Sequence, residues 1–337
     1  MSTTLEQYYA TNYTKCNLPY NILATWQAVA YPIHIIQFFS LPFQVLAFYI
    51  IMTKTPPRMK PLQLPLFLNH LFGGLLDVCF CSFSTLFFFE PMMAFATVGV
   101  FNWLGLSFVY QGVLGAAMAS GVAGSYVFLF ESRSSSLLEN RFRIHRKSSS
   151  FLYYTYFFAP YIAVLVAIYN VAEESDAAKL RALEVYPCPT PEFFMFSVCV
   201  FVGNPSNMFL IFAFLLLQAT GNIIFHVACL VYYLYVAPPS TLSQATKRDQ
   251  RTFLISVSIQ TSIPLFVIIA PAMAVLLASW TGTYRQEWMN LSNVCIATHG
   301  LAESISIMLV HKPYRAAIRR ILGTGNTIAN HRSVELY

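Results

Sequence analysis

Four charged residues sit where charge is costly. Asp77 and Glu303 each lie inside a long apolar stretch, and Glu131 and Arg133 lie at the end of another. A carboxylate in hydrocarbon costs about 2.5–3.5 kcal/mol on insertion scales, so each acid must face protein or trapped water rather than lipid. Asp77 therefore reads in one of two ways. It is a cation or proton site whose occupancy differs between two states of the molecule, or a polar anchor hydrogen-bonded to Ser or Asn neighbours. At the helical rise, Asp77 lies about 22 Å from the inner start of its stretch and Glu303 about 12 Å from His311. That difference of about 10 Å in depth predicts two separate polar sites. Glu131-Ser132-Arg133 sets an acid beside a guanidinium, an ion pair able to open when a helix bundle changes state. The plainer reading is an ordinary charged helix end.

Catalytic chemistry finds no support. His70, His226 and His299 fall in or near different stretches without the HxxxH or HxxE spacing of a catalytic metal, and each reads as a polar contact between helices. The seven cysteines contain no CxxC pair. Neither a Gly-rich phosphate loop nor a GxSxG elbow occurs. The last apolar stretch has no lysine for a retinal Schiff base. The chain is expected to be no enzyme, with no metal and no cofactor.

These residues must be positioned by helices. Of 337 residues, 57% are hydrophobic and 10% charged, whereas soluble domains carry roughly 25% charged residues. The formal charge of +6 does not indicate nucleic acid, because the basic residues sit in short runs between apolar stretches. Seven stretches reach the roughly 20 residues a spanning helix needs: about 26–52, 62–89, 98–130, 151–172, 206–236, 253–280 and 288–310. They are too long, and too little alternating, for barrel strands. The fold class expected is an all-α seven-transmembrane helix bundle in a lipid bilayer. Residues 1–25 form the outer N-terminus, 26–310 the bundle and 311–337 an inner tail.

Orientation follows from the loops. With the N-terminus outside, 16 of the 20 basic residues face the cytoplasm and only Lys15, Lys179, Arg181 and Arg285 lie outside, the asymmetry of the positive-inside rule. Asn12-Tyr13-Thr14 is a glycosylation sequon that suits the outer side. Asn290-Leu291-Ser292 also fits, but lies at the mouth of the last stretch. Cys16 and Cys188 are the two cysteines placed outside, where a disulfide is permitted. The acidic loop before the fifth stretch reads as a solvated cap. Pro32, Pro42, Pro160, Pro264 and Pro271 fall within the stretches, as pivots or as the ordinary prolines of membrane helices. After the last stretch, Tyr314, Ile318, Ile321 and Leu322 follow i, i+4, i+7 and i+8. Arg315, Arg319 and Arg320 occupy other faces, and Gly323 can end the helix. This predicts a short amphipathic helix along the inner leaflet.

Several of these segments resemble the nematode serpentine receptors of class H, a family of chemosensory G-protein-coupled receptors. The resemblance lies in Thr298-His299-Gly300 through Met308-Leu309-Val310-His311-Lys312-Pro313-Tyr314-Arg315. It extends to Gln260-Thr261-Ser262-Ile263-Pro264, which is similar to a Gln-x-Ser-x-Pro pattern expected to kink the sixth helix. Phe130-Glu131-Ser132-Arg133 resembles a Glu-Asn-Arg box with Ser in place of Asn, and Pro187-Cys188-Pro189 is similar as well. The resemblance implies a receptor for small chemicals in the plasma membrane of sensory neurons, at their cilia, coupled to a heterotrimeric G protein through Glu131 and Arg133. Two departures stand out. Glu303 occupies a position where a small or hydroxylated residue is expected, and no cysteine lies at the outer end of the third stretch. The competing expectation is a transporter or channel subunit using Asp77 and Glu303 along a polar path. Against it, no inverted repeat is visible.

Overall fold

The computed structural model describes residues 4–89, 92–137, 139–201, 205–238 and 243–323. Seven of their helices are long and apolar enough to cross a membrane: Gln27–Lys54, Lys60–Ser84, Phe108–Ser135, Lys147–Val171, Leu210–Val236, Gln244–Val275 and Gln286–Val310. These are spans one to seven. In hydrocarbon every backbone N–H and C=O must be paired within the chain, so an uninterrupted apolar run becomes a helix. The apolar residues also face outward: Phe38, Phe39, Tyr156 and Phe266 are exposed. Inward faces carry polar groups. Span one buries Gln37, Ser40 and Gln44 on one side, the spacing of successive helical turns.

Spans one and four run on through Pro32, Pro42 and Pro160. The kink expected at Pro264 falls on a side chain outside those described, while its neighbour Gln260 is fully buried. After span seven, the helix Lys312–Ile321 buries Tyr314 and Ala317 and carries Arg319 and Arg320 in its last turn. Gly323 follows at φ 71°.

The helix ends that the sequence assigns to the outer side depart from its reading, which predicts continuous helices over 62–89 and 98–130. Span two widens into a π-turn at Cys79–Ser84, and Thr85 takes a left-handed conformation at φ 43°. The chain then leaves as β1 (Leu86–Phe89) and returns as β2 (Ala94–Thr97). β3 (Ala172–Glu173) and β4 (Val198–Phe201) complete an antiparallel sheet of order β1-β2-β4-β3. Leu-Phe-Phe-Phe is rich in strand-favouring aromatics, and a short apolar run at a helix end cannot be told from a buried strand by periodicity.

The acidic outer loop is likewise folded. Phe87 and Phe89 of β1, Leu183 of the helix Asp176–Val185, and Phe193 share one apolar core with Val29 and Ile33 of span one. The loop's acids act as caps and pairs. Glu174 accepts from Ser107 Oγ (2.7 Å) and the Val109 N–H (3.0 Å) at the start of span three. Glu192 accepts from the Trp26 N–H (3.3 Å) at the start of span one, and Glu173 pairs with Arg181. Carboxylates are favoured at helix N-termini, where unpaired N–H groups and the helix dipole converge. Cys16 and Cys188 are disulfide-bonded, with Cα atoms 5.6 Å apart. The Tyr8 and Tyr13 hydroxyls donate to the Pro187 (3.0 Å) and Pro189 (2.9 Å) carbonyls. Burial pushes the Tyr13 phenol up to about 12.

The two sequons differ sharply. Asn12 is exposed. Asn290 is buried, and its Nδ2 donates to the Leu23 (2.7 Å) and Thr25 (3.1 Å) carbonyls. Asn12→Gln is therefore expected to increase gel mobility to that of the enzymatically deglycosylated protein, and Asn290→Gln to leave the glycan unchanged. A mobility shift from Asn290→Gln alone would contradict this placement.

Candidate functional site

At the end of the bundle that the loop charges assign to the cytoplasm, the ion pair expected within Glu131-Ser132-Arg133 is not formed. Helical residues two apart do not face one another, so the two charges turn to different neighbours. Glu131 accepts from Ser135 Oγ (2.6 Å) and from the Tyr154 hydroxyl of span four (3.1 Å). Arg133 turns to span six, its guanidinium 4.6 Å from the centre of the Phe253 ring. A cation over an aromatic face is held by the ring quadrupole, most strongly where water is excluded.

Phe253 continues the layer. Its ring stacks on His311 at 5.7 Å, and His311 meets Tyr314 edge-on at 5.4 Å. His311 Nε2 lies 3.0 Å from Gln260 Oε1. An amide oxygen only accepts, so this bond places the hydrogen on Nε2. The Tyr314 hydroxyl lies 2.9 Å from Thr55 Oγ1 at the end of span one. Spans three, six, seven and one, with the C-terminal helix, thus meet in one continuous layer. Gln260 and His311, singled out separately in the sequence, are direct partners. Pro313 occupies the first turn of its helix, where its missing N–H leaves no bond unmade. Arg315 donates to the Leu309 carbonyl (2.7 Å), and Lys312 is exposed.

Beside this layer, His226 of span five ties three helices together. Its Nδ1 lies 2.8 Å from Ser134 Oγ of span three, and its Nε2 lies 3.0 Å from the Tyr153 hydroxyl of span four. His70 of span two contacts the Gln44 carbonyl of span one at 3.0 Å.

Higher in the bundle, Asp77 and Glu303 share one buried cluster, contrary to the separate sites that depth counting predicts. Asp77 Oδ2 accepts from Gln44 Nε2 (2.6 Å), and Oδ1 lies 3.0 Å from His299 Nδ1. Glu303 interacts electrostatically with both His299 and Asp77. The count follows the backbone, and the side chains close the gap it leaves: His299, one turn above Glu303, reaches Asp77, while the Glu303 carboxylate packs on Gly73, one turn below Asp77.

Glycines make this contact possible. A Cβ built on Gly300 would coincide with the Asp77 carboxylate, and one on Gly73 would lie 2.7 Å from Glu303 Oε2. A glycine beside each buried acid is the only sequence trace of the cluster. The roles of Phe253, Tyr154 and Thr55 leave no trace that their residue types or spacing reveal.

The model of the family described as serpentine type 7TM GPCR chemoreceptor Srh matches residues 24–324, which include the inner layer and the buried cluster. Serpentine receptor class H-72 of Caenorhabditis elegans is 32% identical over 322 residues, covering 94% of this chain and 92% of that protein. Squid rhodopsin superposes with a TM-score of 0.57 over 91% of this chain and 88% of its own. At 12% identity that likeness is one of fold.

Proposed function

This chain belongs to the Srh family of serpentine seven-transmembrane GPCR chemoreceptors, and from that premise we propose that it binds a small chemical on the outer side and signals to a heterotrimeric G protein at its inner face. The observation that supports coupling at this site is the seat of Arg133 on Phe253. The arginine is held by a neutral ring rather than by an acid, so the layer opens by withdrawing a face of span six without leaving a carboxylate unpaired. Glu131 stays with span four and keeps the inner end of span three in place. A ligand shifts such an equilibrium only through unequal affinity for the closed and open states.

An outer N-terminus accords with the loop charges and with a disulfide on that side, which requires an oxidising compartment. By the family's chemosensory character, the expected location is the plasma membrane of sensory neurons, at their cilia.

The test is nucleotide exchange on added G protein by membranes carrying the full chain. Phe253→Leu keeps the apolar packing and removes the cation–π contact, worth about 0.5–2 kcal/mol. Basal exchange is expected to rise about 2- to 30-fold at equal surface expression. Unchanged exchange across the available G-protein classes would sink the coupling site. Tags on the two termini check the orientation: the N-terminal tag should stain on intact cells and the C-terminal tag only after permeabilisation.

A further inference from the structure

The buried cluster is not electrically complete. Among the described residues, the titratable groups facing Glu303 or its partners are His70 and Asp77 of span two, Cys81 of the π-turn, Tyr126 of span three, and His299 of span seven. Span one presents the neutral Ser40 and Gln44, and span six has no titratable side chain between Arg251 and Thr281. Even with His299 protonated against Asp77, two carboxylates are balanced by one imidazolium, and at least one negative charge is left over. A lone charge inside hydrocarbon is the arrangement membrane proteins avoid, and an uncompensated charge beside a buried pair is strongly unfavourable.

One more positive charge must therefore enter, and the surroundings favour a proton over a metal ion. No group of three or more His, Cys, Asp and Glu among the described residues is arranged to hold a metal. Glu303 Oε1 is buried without a hydrogen-bond partner among the described residues, beside the buried Tyr126 hydroxyl. A protonated carboxyl brings no net charge into this site and can still both donate to and accept from a phenol. We propose that the Asp77–His299–Glu303 cluster is a binding site for one exchangeable proton, carried by Glu303 between His299 and Tyr126. The step is a transfer of H⁺ from water to Glu303, with no other bond made or broken. Glu303 stands where the family resemblance leads one to expect a small or hydroxylated residue. It stands apart from the coupling proposal, because its readout needs no G protein.

The experiment is infrared difference spectroscopy of the purified full chain in lipid nanodiscs, following the C=O band of protonated carboxyl groups as the pH is raised from about 6.5, where exposed carboxyls are already ionised. The wild type should show such a band, shifted in D2O and lost at high pH. E303Q should lack it. E131Q should retain it, which separates it from the other buried acid of the inner half. D77N should lack it too, although Glu303 is still present, because one carboxylate then balances His299. Absence of the band from the wild type at every pH overturns the proposal, whether or not the variants fold. So does a band that survives E303Q or D77N. A band that appears only when sodium is replaced by a bulky organic cation also overturns it, since the charge is then met by sodium.

Discussion

Arg133→Ala, introduced into the Phe253→Leu background, is expected to reduce the raised nucleotide exchange at least about tenfold at unchanged surface expression. Truncating a desolvated arginine at the centre of an interface commonly costs about 2 kcal/mol or more. In the closed state the guanidinium rests on Phe253, so the single variant alone mixes two effects: a lost latch and a lost contact with the partner. The double variant separates them, because the latch is already gone. If exchange stays high in the double variant, Arg133 is only a lock and the G protein reads some other part of the inner face. Arg133→Lys is expected to lie in between. It keeps the charge but loses the planar group that stacks on the ring.

Gly300→Ala is expected to remove most of the receptor from the cell surface. The added carbon would occupy the place of the Asp77 carboxylate, which is fully buried and held by Gln44 and His299. Displacing one member of a buried pair costs about 3–5 kcal/mol, because the other charge is left uncompensated. Gly115→Ala is the matched control: nothing lies within 4 Å of its added carbon, so expression and thermal stability in detergent should stay at wild-type values. Wild-type expression of Gly300→Ala would show that spans two and seven are not packed this closely. A loss in both variants would point instead to a general intolerance of larger residues in the spans.

How much of this was legible in the sequence depends on the range of the interaction concerned. Seven apolar runs report the bilayer directly, because each residue meets lipid or protein within its own helix. The C-terminal helix is visible for the same reason, in the spacing of Tyr314, Ile318, Ile321 and Leu322. The β-sheet is not, since Leu86–Phe89 looks like the end of span two until Ala94–Thr97 and Val198–Phe201 are found beside it. Arg133 was placed correctly at a helix end, but its partner is a phenylalanine 120 residues away, of a type common throughout the chain. Counting depth along straight helices separated Asp77 from Glu303; side chains reaching across the two glycines bring them together. Gln260 and His311 were flagged by family resemblance, which marks positions without revealing that the two side chains touch.

The disulfide bears on how the chain is made. Cys16 leaves the ribosome early, and its partner is 172 residues further on. At about 5–20 residues per second, the first thiol waits roughly 9–34 s for the second to be synthesised. Four spans must be threaded through the membrane before Cys188 reaches the compartment where the two can be oxidised. Closure of the disulfide is thus tied to completed insertion of the first four spans. A nascent chain that failed to insert one of them would be left with two unpaired thiols on opposite sides of the membrane.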